Sequence, residues 1–330
     1  MKFSVNQKDF YQSLQKVVGV VPVKTTIPIL SNILLELSGN ELTLMGTDLE
    51  VSISTKLSVT GNSDGSVAVP AKMLFEIVRE LPEIPIGFTV DEDNKISLET
   101  EKGFYKLSGE PKEDFPKIQI AESKGSFVVA AEVFSGMIDK TIFSVSTDEL
   151  RTTLMGVLLK VADNEMRMVA TDGHRLVKII QKNFNSNNFQ SEAIVPTKAL
   201  NLVLKNLPAR QKAQSGPSSA GGQDAGEIKV DVSDDHIVFN FDQTTIYSKS
   251  IEGQFPNYER VIPIDNNKRL TLNRELLISS VRRVAIFSNS ITHQIRFGIS
   301  KNLVKIQSED IEFGGEAMES IDADYDGEEL

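Results

Sequence analysis

A chain of 330 residues is long enough for two or three domains, and 40% apolar with 25% charged residues excludes both wholesale disorder and a fibrous repeat. The absence of cysteine excludes disulfides, thiolate zinc sites and cysteine nucleophiles, and three scattered histidines, His174, His236 and His293, make a histidine-rich metal site improbable, so no metal or cofactor is expected. Net charge is −11, but ten acids and two bases fall in residues 301–330, which leaves the first 300 at −3 and a nucleic-acid partner admissible.

The N-terminus MKFSVNQKDF turns polar at once, and no apolar run approaches the roughly 18 residues of a membrane span, so a soluble, cytoplasmic protein is expected. In chain order, KFSV reads as an opening strand. An amphipathic helix follows, with Phe10, Leu14 and Val17 at i, i+4, i+7 on its apolar side and Lys8, Gln12, Gln15 and Lys16 elsewhere. Residues 33–37 and 41–45 alternate as two strands turned at Gly39 and Asn40. A second helix starts after VPAK, with Pro70 at its first turn, and KISLET and YKLSGE supply further strands.

The same order then recurs. Residues 3–51 and 127–175 align without a gap: Phe3, Phe10, Leu34, Asn40, Thr47 and Asp48 fall on Phe127, Phe134, Leu158, Asn164, Thr171 and Asp172. VPAKMLFEIVRELP meets VPTKALNLVLKNLP, and Phe115–Pro116 meets Phe255–Pro256. The 14 extra residues of the second copy lie in ARQKAQSGPSSAGGQDAGE, a composition expected of a flexible insertion at about 209–226. A third copy begins with LTLNRELLISSVRRV, where Leu270, Leu277 and Val281 replace Phe3, Phe10 and Leu14, and continues in IRFGISKNLVKI. It is about 50 residues shorter than the first. The predicted fold class is α+β, a tandem array of similar domains each with two helices on antiparallel sheet, bounded at 1–121, 122–264 and 265–330, the third incomplete.

ATDGHRLV places Asp172, His174 and Arg175 side by side. A catalytic reading would set Asp172 to orient His174 as a base toward Ser144 or Ser146. No nucleophile elbow occurs anywhere, and Thr171 and Asp172 recur as Thr47 and Asp48, which marks them as scaffold at a strand end. The protein is therefore expected not to be an enzyme.

MKFSVNQ, TIPILSNILLEL, GTDLEV, VPAKMLFEIVRELP, ATDGHRLV, IVPTKAL and EGQFPNYERVIP together resemble the bacterial DNA polymerase III sliding clamp family, the beta subunits, over the whole chain. The resemblance implies a DNA clamp fold in which two chains close head to tail around duplex DNA, with helices lining the hole, and tether the replicative polymerase. It places Lys24, Arg79 and Lys198 toward the channel, and helical phase adds Arg282 and Arg283; a solvated surface base is the alternative for each. It also implies a groove lined by Leu154, Thr171, Gly173, His174, Arg175, Leu176, Pro256, Arg260 and Val261, which takes short peptides of polymerases, clamp loader subunits and repair proteins; simple sealing of a domain boundary is the alternative. Ile77, Leu81, Tyr105 and Leu107 on one side and Leu276 and Leu277 on the other would form the homodimer joint, with acids of residues 310–319 facing Lys72, Lys102 and Lys106; intradomain core is the alternative, and the better reading for Leu277.

The chain departs from the family at its end. A missing second helix and final tail in the third copy would weaken peptide docking and leave ring closure in doubt. The competing function is a repeat scaffold that binds partners without encircling DNA.

Overall fold

In the computed structural model, residues 1–118, 123–186, 189–207, 226–310 and 314–330 are described. Apart from Gly226, the expected insertion lies outside them, as does the junction between the first two copies at residues 121 and 122. The chain divides into two compact units, Met1–Pro256 and Asn257–Leu330.

Each copy's first helix forms where the sequence places it. Helix α1, Gln7–Val18, is started by Asn6, whose side chain accepts the Lys8 N–H at 3.0 Å, and it buries Phe10, Leu14 and Val17 completely. Helix α2 is Ala71–Glu80, α3 is Ala131–Asp139 and α4 is Thr197–Asn206. Pro70 and Pro196 occupy the N-cap positions of α2 and α4, one residue ahead of the first turn. In the second unit α5, Arg274–Val284, repeats the asparagine cap: Asn273 accepts from the N–H groups of Glu275 (2.9 Å) and Leu276 (3.1 Å). It is the one α-helix among the described residues of that unit.

All strand pairing in the described sheets is antiparallel. Strands Asn32–Ser38 and Glu41–Thr47 meet at a two-residue turn in which Gly39 takes φ +57°, the left-handed conformation that glycine adopts without strain. The first unit is sewn together by an eight-stranded sheet that crosses between copies: Thr244–Lys249, the last strand of the second copy, pairs with Val51–Ser58 of the first. A five-stranded sheet runs Thr60–Ser63, Lys2–Asn6, Pro85–Val90, Lys95–Thr100, Gly103–Ser108, and a four-stranded one runs Leu176–Gln181, Glu165–Thr171, Gly156–Ala162, Ser191–Pro196.

In the second unit the opening strand that the repeat implies for the third copy, RLTL at residues 269–272 in the place of KFSV, contracts to Thr271–Leu272, which pairs only with Ala323 and Asp324 among the described residues. Its core is correspondingly small. Val284, Val304, Ile306 and Ile321 are buried, with Leu277 packed against them, while Leu276 (54% exposed) and Ile286 (78%) face outward.

Candidate functional site

The ATDGHRLV segment ends strand Glu165–Thr171 and turns into Leu176–Gln181, with Thr171 opposite Leu176. Four hydrogen bonds lock this turn. Thr171 Oγ1 donates to the Arg175 carbonyl (2.7 Å) and accepts the Gly173 N–H (3.1 Å), and Asp172 Oδ1 accepts the N–H groups of His174 (2.9 Å) and Arg175 (3.0 Å). The first copy repeats all four: Thr47 Oγ1 donates to the Val51 carbonyl (3.2 Å) and accepts the Leu49 N–H (3.0 Å), and Asp48 Oδ1 accepts those of Glu50 (3.0 Å) and Val51 (2.7 Å). Thr171 and Asp172 are thus scaffold, and what the second copy changes is what the turn displays.

Gly173 sits at φ +89° and its counterpart Leu49 at φ +79°. Only the former suits its residue, because a side chain there crowds the backbone. Gly173, His174 and Arg175 are exposed. The Arg175 guanidinium returns to Asp172 Oδ2 (Nε at 3.0 Å) and lies 5.7 Å from the ring of Phe143, itself 55% exposed. Arg151 Nη1 donates to the Asp172 carbonyl at 3.4 Å, and the neighbouring Leu150 is 93% exposed. Leu154, by contrast, is buried in a short 3₁₀ turn, Thr152–Leu154. Leu176 is half-buried, and Pro256, at the end of the first unit, is exposed. Arg260 and Val261, on the 3₁₀ turn Tyr258–Val261 of the second unit, are exposed.

Phe143 and Arg151, which stand against this turn, carry no signal in the sequence that would place them there. Phe143 adjoins Ser144, which drew notice only as a nucleophile candidate. That chemistry finds no geometry: Ser144 is fully buried, and both carboxylate oxygens of Asp172 are committed to the turn and to Arg175 rather than to the His174 ring.

The channel candidates fall into two kinds. Lys24 and Arg282 are exposed and make no ion pair among the described residues. Arg79 is exposed and its Nε donates to Glu80 Oε1 at 2.9 Å. Lys198 instead bridges copies, paired with Asp48 Oδ2 and donating to the Val20 carbonyl at 3.3 Å. Arg283 is held by Glu319, with Nε and Nη2 each 2.6 Å from a carboxylate oxygen. The five α-helices among the described residues together hold nine bases and six acids, in a chain of net charge −11, so the cationic balance sits on the helices. Of the joint candidates, Leu81 and Leu107 are buried in the first unit's core, Ile77 and Tyr105 pack partly against it, and Leu277 lies on the second unit's core.

Two carboxylates are strongly lowered. Backbone N–H donors of Arg175 and then His174 hold Asp172 at about 2, and the Arg283 side chain and then Ser280 hold Glu319 at about 2. Because the unfolded chain takes up these protons first, their contribution to stability is present above the ordinary values of 3.8 and 4.5 and is lost as pH falls through about 2. Urea midpoints should therefore fall between about pH 4 and 2, and Asp172→Asn should flatten the part that belongs to the first unit. An unchanged profile in that variant would discount the turn.

Two tandem α+β copies fused edge to edge through a shared sheet, each with its Thr–Asp turn, are the architecture of a DNA clamp. Models of the DNA polymerase III beta subunit match residues 1–119 (N-terminal domain), 128–257 (central domain) and 259–330 (C-terminal domain). The beta sliding clamps of Pseudomonas aeruginosa and Chlamydia pneumoniae are 32% and 30% identical, each alignment covering 100% of this chain and 86% of the relative. Clamps of Pseudomonas aeruginosa and Bartonella birtlesii solved with griselimycin bound superpose with TM-scores of 0.90, at 32% and 30% identity, again over 100% of this chain and 86% of theirs. The chain belongs to the DNA polymerase III beta-subunit family, the sliding clamps. Its function is that of a DNA sliding clamp, a ring on duplex DNA that tethers the replicative polymerase and so confers processivity; the scaffold alternative is not favoured.

Proposed function

We propose that this chain acts in the cytoplasm without catalysis, as one protomer of a homodimeric ring whose helices face DNA and whose second copy displays a docking surface for short peptides of polymerases, clamp loader subunits and repair proteins. Three copies bounded at 1–121, 122–264 and 265–330 are the units of that ring. The observation that carries the reading is the joint inside the first unit, where the last strand of one copy completes the sheet of another. A head-to-tail array built this way closes when the first and third copies of two chains meet in the same manner.

Contacts with phosphate are sequence-independent, and a ring needs them weak enough to exchange. Lys24 and Arg282 are the bases best suited, being exposed and without an ion pair among the described residues. The docking surface centres on Gly173, His174, Arg175 and Leu176, with Leu154 behind and Phe143 adding apolar area.

After loading, the protein is expected to remain on circular DNA and slip from linear DNA; equal loss from both would end the encirclement reading. Gly173→Leu tests the docking surface. The repeat tolerates leucine at this conformation, so the cost in stability should be only about 1–2 kcal/mol. Affinity for an apolar docking peptide, read by fluorescence anisotropy, should nevertheless fall by roughly tenfold, because a side chain would fill the approach to the backbone. Unchanged affinity would remove Gly173 from the surface.

A further inference from the structure

The row of side chains that carries the docking turn in the second copy recurs in the first, where it is longer. Thr47 stands opposite Ser52 as Thr171 stands opposite Leu176. Leu176–Gln181 has no further neighbour in its sheet among the described residues, whereas Ser52 continues across the joint between copies to Tyr247, its direct partner. Val51, Ile53 and Ile246 belong to the core on which α1 and α4 pack, so alternation turns Ser52, Tyr247 and Lys249 to the opposite face.

The segment that leaves the first copy passes beside this row. Phe115 is buried against Leu34 and Ala68, and Pro116, Lys117 and Ile118 then line a cleft of about 310 Å³ together with the strands and with Leu49 of the turn. That volume is at the lower end of the range of ligand pockets. Its charges are unevenly matched. Lys117 and Lys249 are exposed and make no ion pair among the described residues. Asp234 and Asp235, which precede the strand opposite Lys249, are taken by Lys124 and by His236, whose Nδ1 lies 2.7 Å from Asp235 Oδ1. Among the described lining residues Glu50 is the one carboxylate, set against two unpaired ammonium groups.

We propose that this cleft, at the joint of the first two copies, is a second docking site and takes an extended acidic peptide, with an apolar side chain against Leu49, Ile118 and the Tyr247 ring and a carboxylate two residues away on Lys249. The spacing follows from the strand itself. Tyr247 and Lys249 stand two residues apart on one face, about 7 Å, which is also the distance between alternate side chains of any extended peptide. Burial raises the Tyr247 hydroxyl above its ordinary value, so the phenol stays neutral and sets no negative charge against the incoming acid. Leu49, 44% exposed, gives the apolar side chain a surface that the turn of the second copy, with Gly173, does not have. The site needs neither ring closure nor DNA, because both of its walls belong to the first unit.

The probe is acetyl-Glu-Ser-Leu-Ser-Glu-amide, whose acids flank the leucine at both two-residue positions and so reach Lys249 in either chain direction. Titrated to a few millimolar into the full-length, isotope-labelled chain, it should shift the backbone amides of Leu49, Tyr247 and Lys249 saturably. Ser-Glu-Leu-Glu-Ser, with its acids one residue from the leucine, and Lys-Ser-Leu-Ser-Lys should each bind roughly fivefold or more weakly. Lys249→Glu should weaken the acidic probe by roughly tenfold and strengthen the lysine peptide, an exchange that a merely structural lysine would not produce. Leu49→Gly removes the apolar wall at φ +79°, a conformation glycine adopts without strain, and should cost roughly fivefold in affinity with the fold intact. No saturable shift at the three amides, or equal binding by all three peptides, overturns the site. Shifts confined to residues 173–176 overturn it too, while leaving the docking surface of the second copy standing. Oligothymidylate that moves the cleft amides more than the acidic probe assigns the stripe to single-stranded nucleic acid and overturns the peptide.

Discussion

Phe10→Ala is expected to lower stability by about 3–5 kcal/mol, among the largest effects of any single truncation in this chain. Phe10 is fully buried at the centre of an aromatic cluster, edge-on to Phe3 and to Phe88 at 6.3 Å each, while Phe3 and Phe88 stack at 4.8 Å. Close packing leaves nothing nearby to fill the void, because Leu14 and Val17 on the same helix face are themselves fully buried. The repeat makes the prediction comparative. Phe134 holds the same position in the second copy, is equally buried, and meets Phe239 at 5.9 Å, so Phe134→Ala should cost about the same. Leu277, the third counterpart, is only half-buried on a small core, and Leu277→Ala should cost about 1–2 kcal/mol. Units of one chain need not unfold together, so the readout is the denaturant midpoint of each transition, assigned by hydrogen exchange on the altered unit. Equal losses at all three positions would mean that burial does not govern this site.

Those three residues also mark what could be read from sequence. Helix faces and the core positions of each copy follow from apolar spacing, and the repeat supplied an internal check: Thr171 and Asp172 were recognisable as scaffold because Thr47 and Asp48 stand in the same place. Periodicity reports which side of an element faces inward and nothing about which polar groups meet. Helical phase points Arg283 to the channel side but says nothing of Glu319, 36 residues later, which accepts from its Nε and Nη2. Phe143 beneath Arg175 was illegible for the same reason, since their contact depends on how a 3₁₀ turn, Ile142–Ser144, sits against a hairpin end. The shortened opening strand of the third copy shows a related limit: RLTL has strand composition, but only its last two residues find a partner in the sheet.

Lys198 poses the sharpest choice between reading and structure, because a base aimed at DNA and a base that joins two copies behave differently when removed. Asp48 uses Oδ1 to hold its own turn and Oδ2 to hold Lys198, whose ammonium also caps the Val20 carbonyl near the end of α1. Asp48→Ala therefore removes the acceptor of two backbone N–H groups and a half-buried ion pair at once, and leaves Leu49 in its left-handed conformation with only the two Thr47 bonds of the turn to hold it. The expected loss is about 2–4 kcal/mol, read as a lower denaturant midpoint of the first unit. Lys198→Met should cost less, about 1–2 kcal/mol, since its side chain is 43% exposed and a stranded carboxylate there regains water. On DNA the order reverses. Lys24→Met and Arg282→Met should each flatten the salt dependence of DNA affinity by about one unit of slope, while stability stays within about 0.5 kcal/mol. Lys198→Met should leave that slope nearly unchanged, its charge already being opposed by Asp48. A full unit of slope lost with Lys198, and none with Lys24 or Arg282, would move the DNA contact onto the joint between the copies and make Asp48 the residue that weakens it enough for the ring to slide.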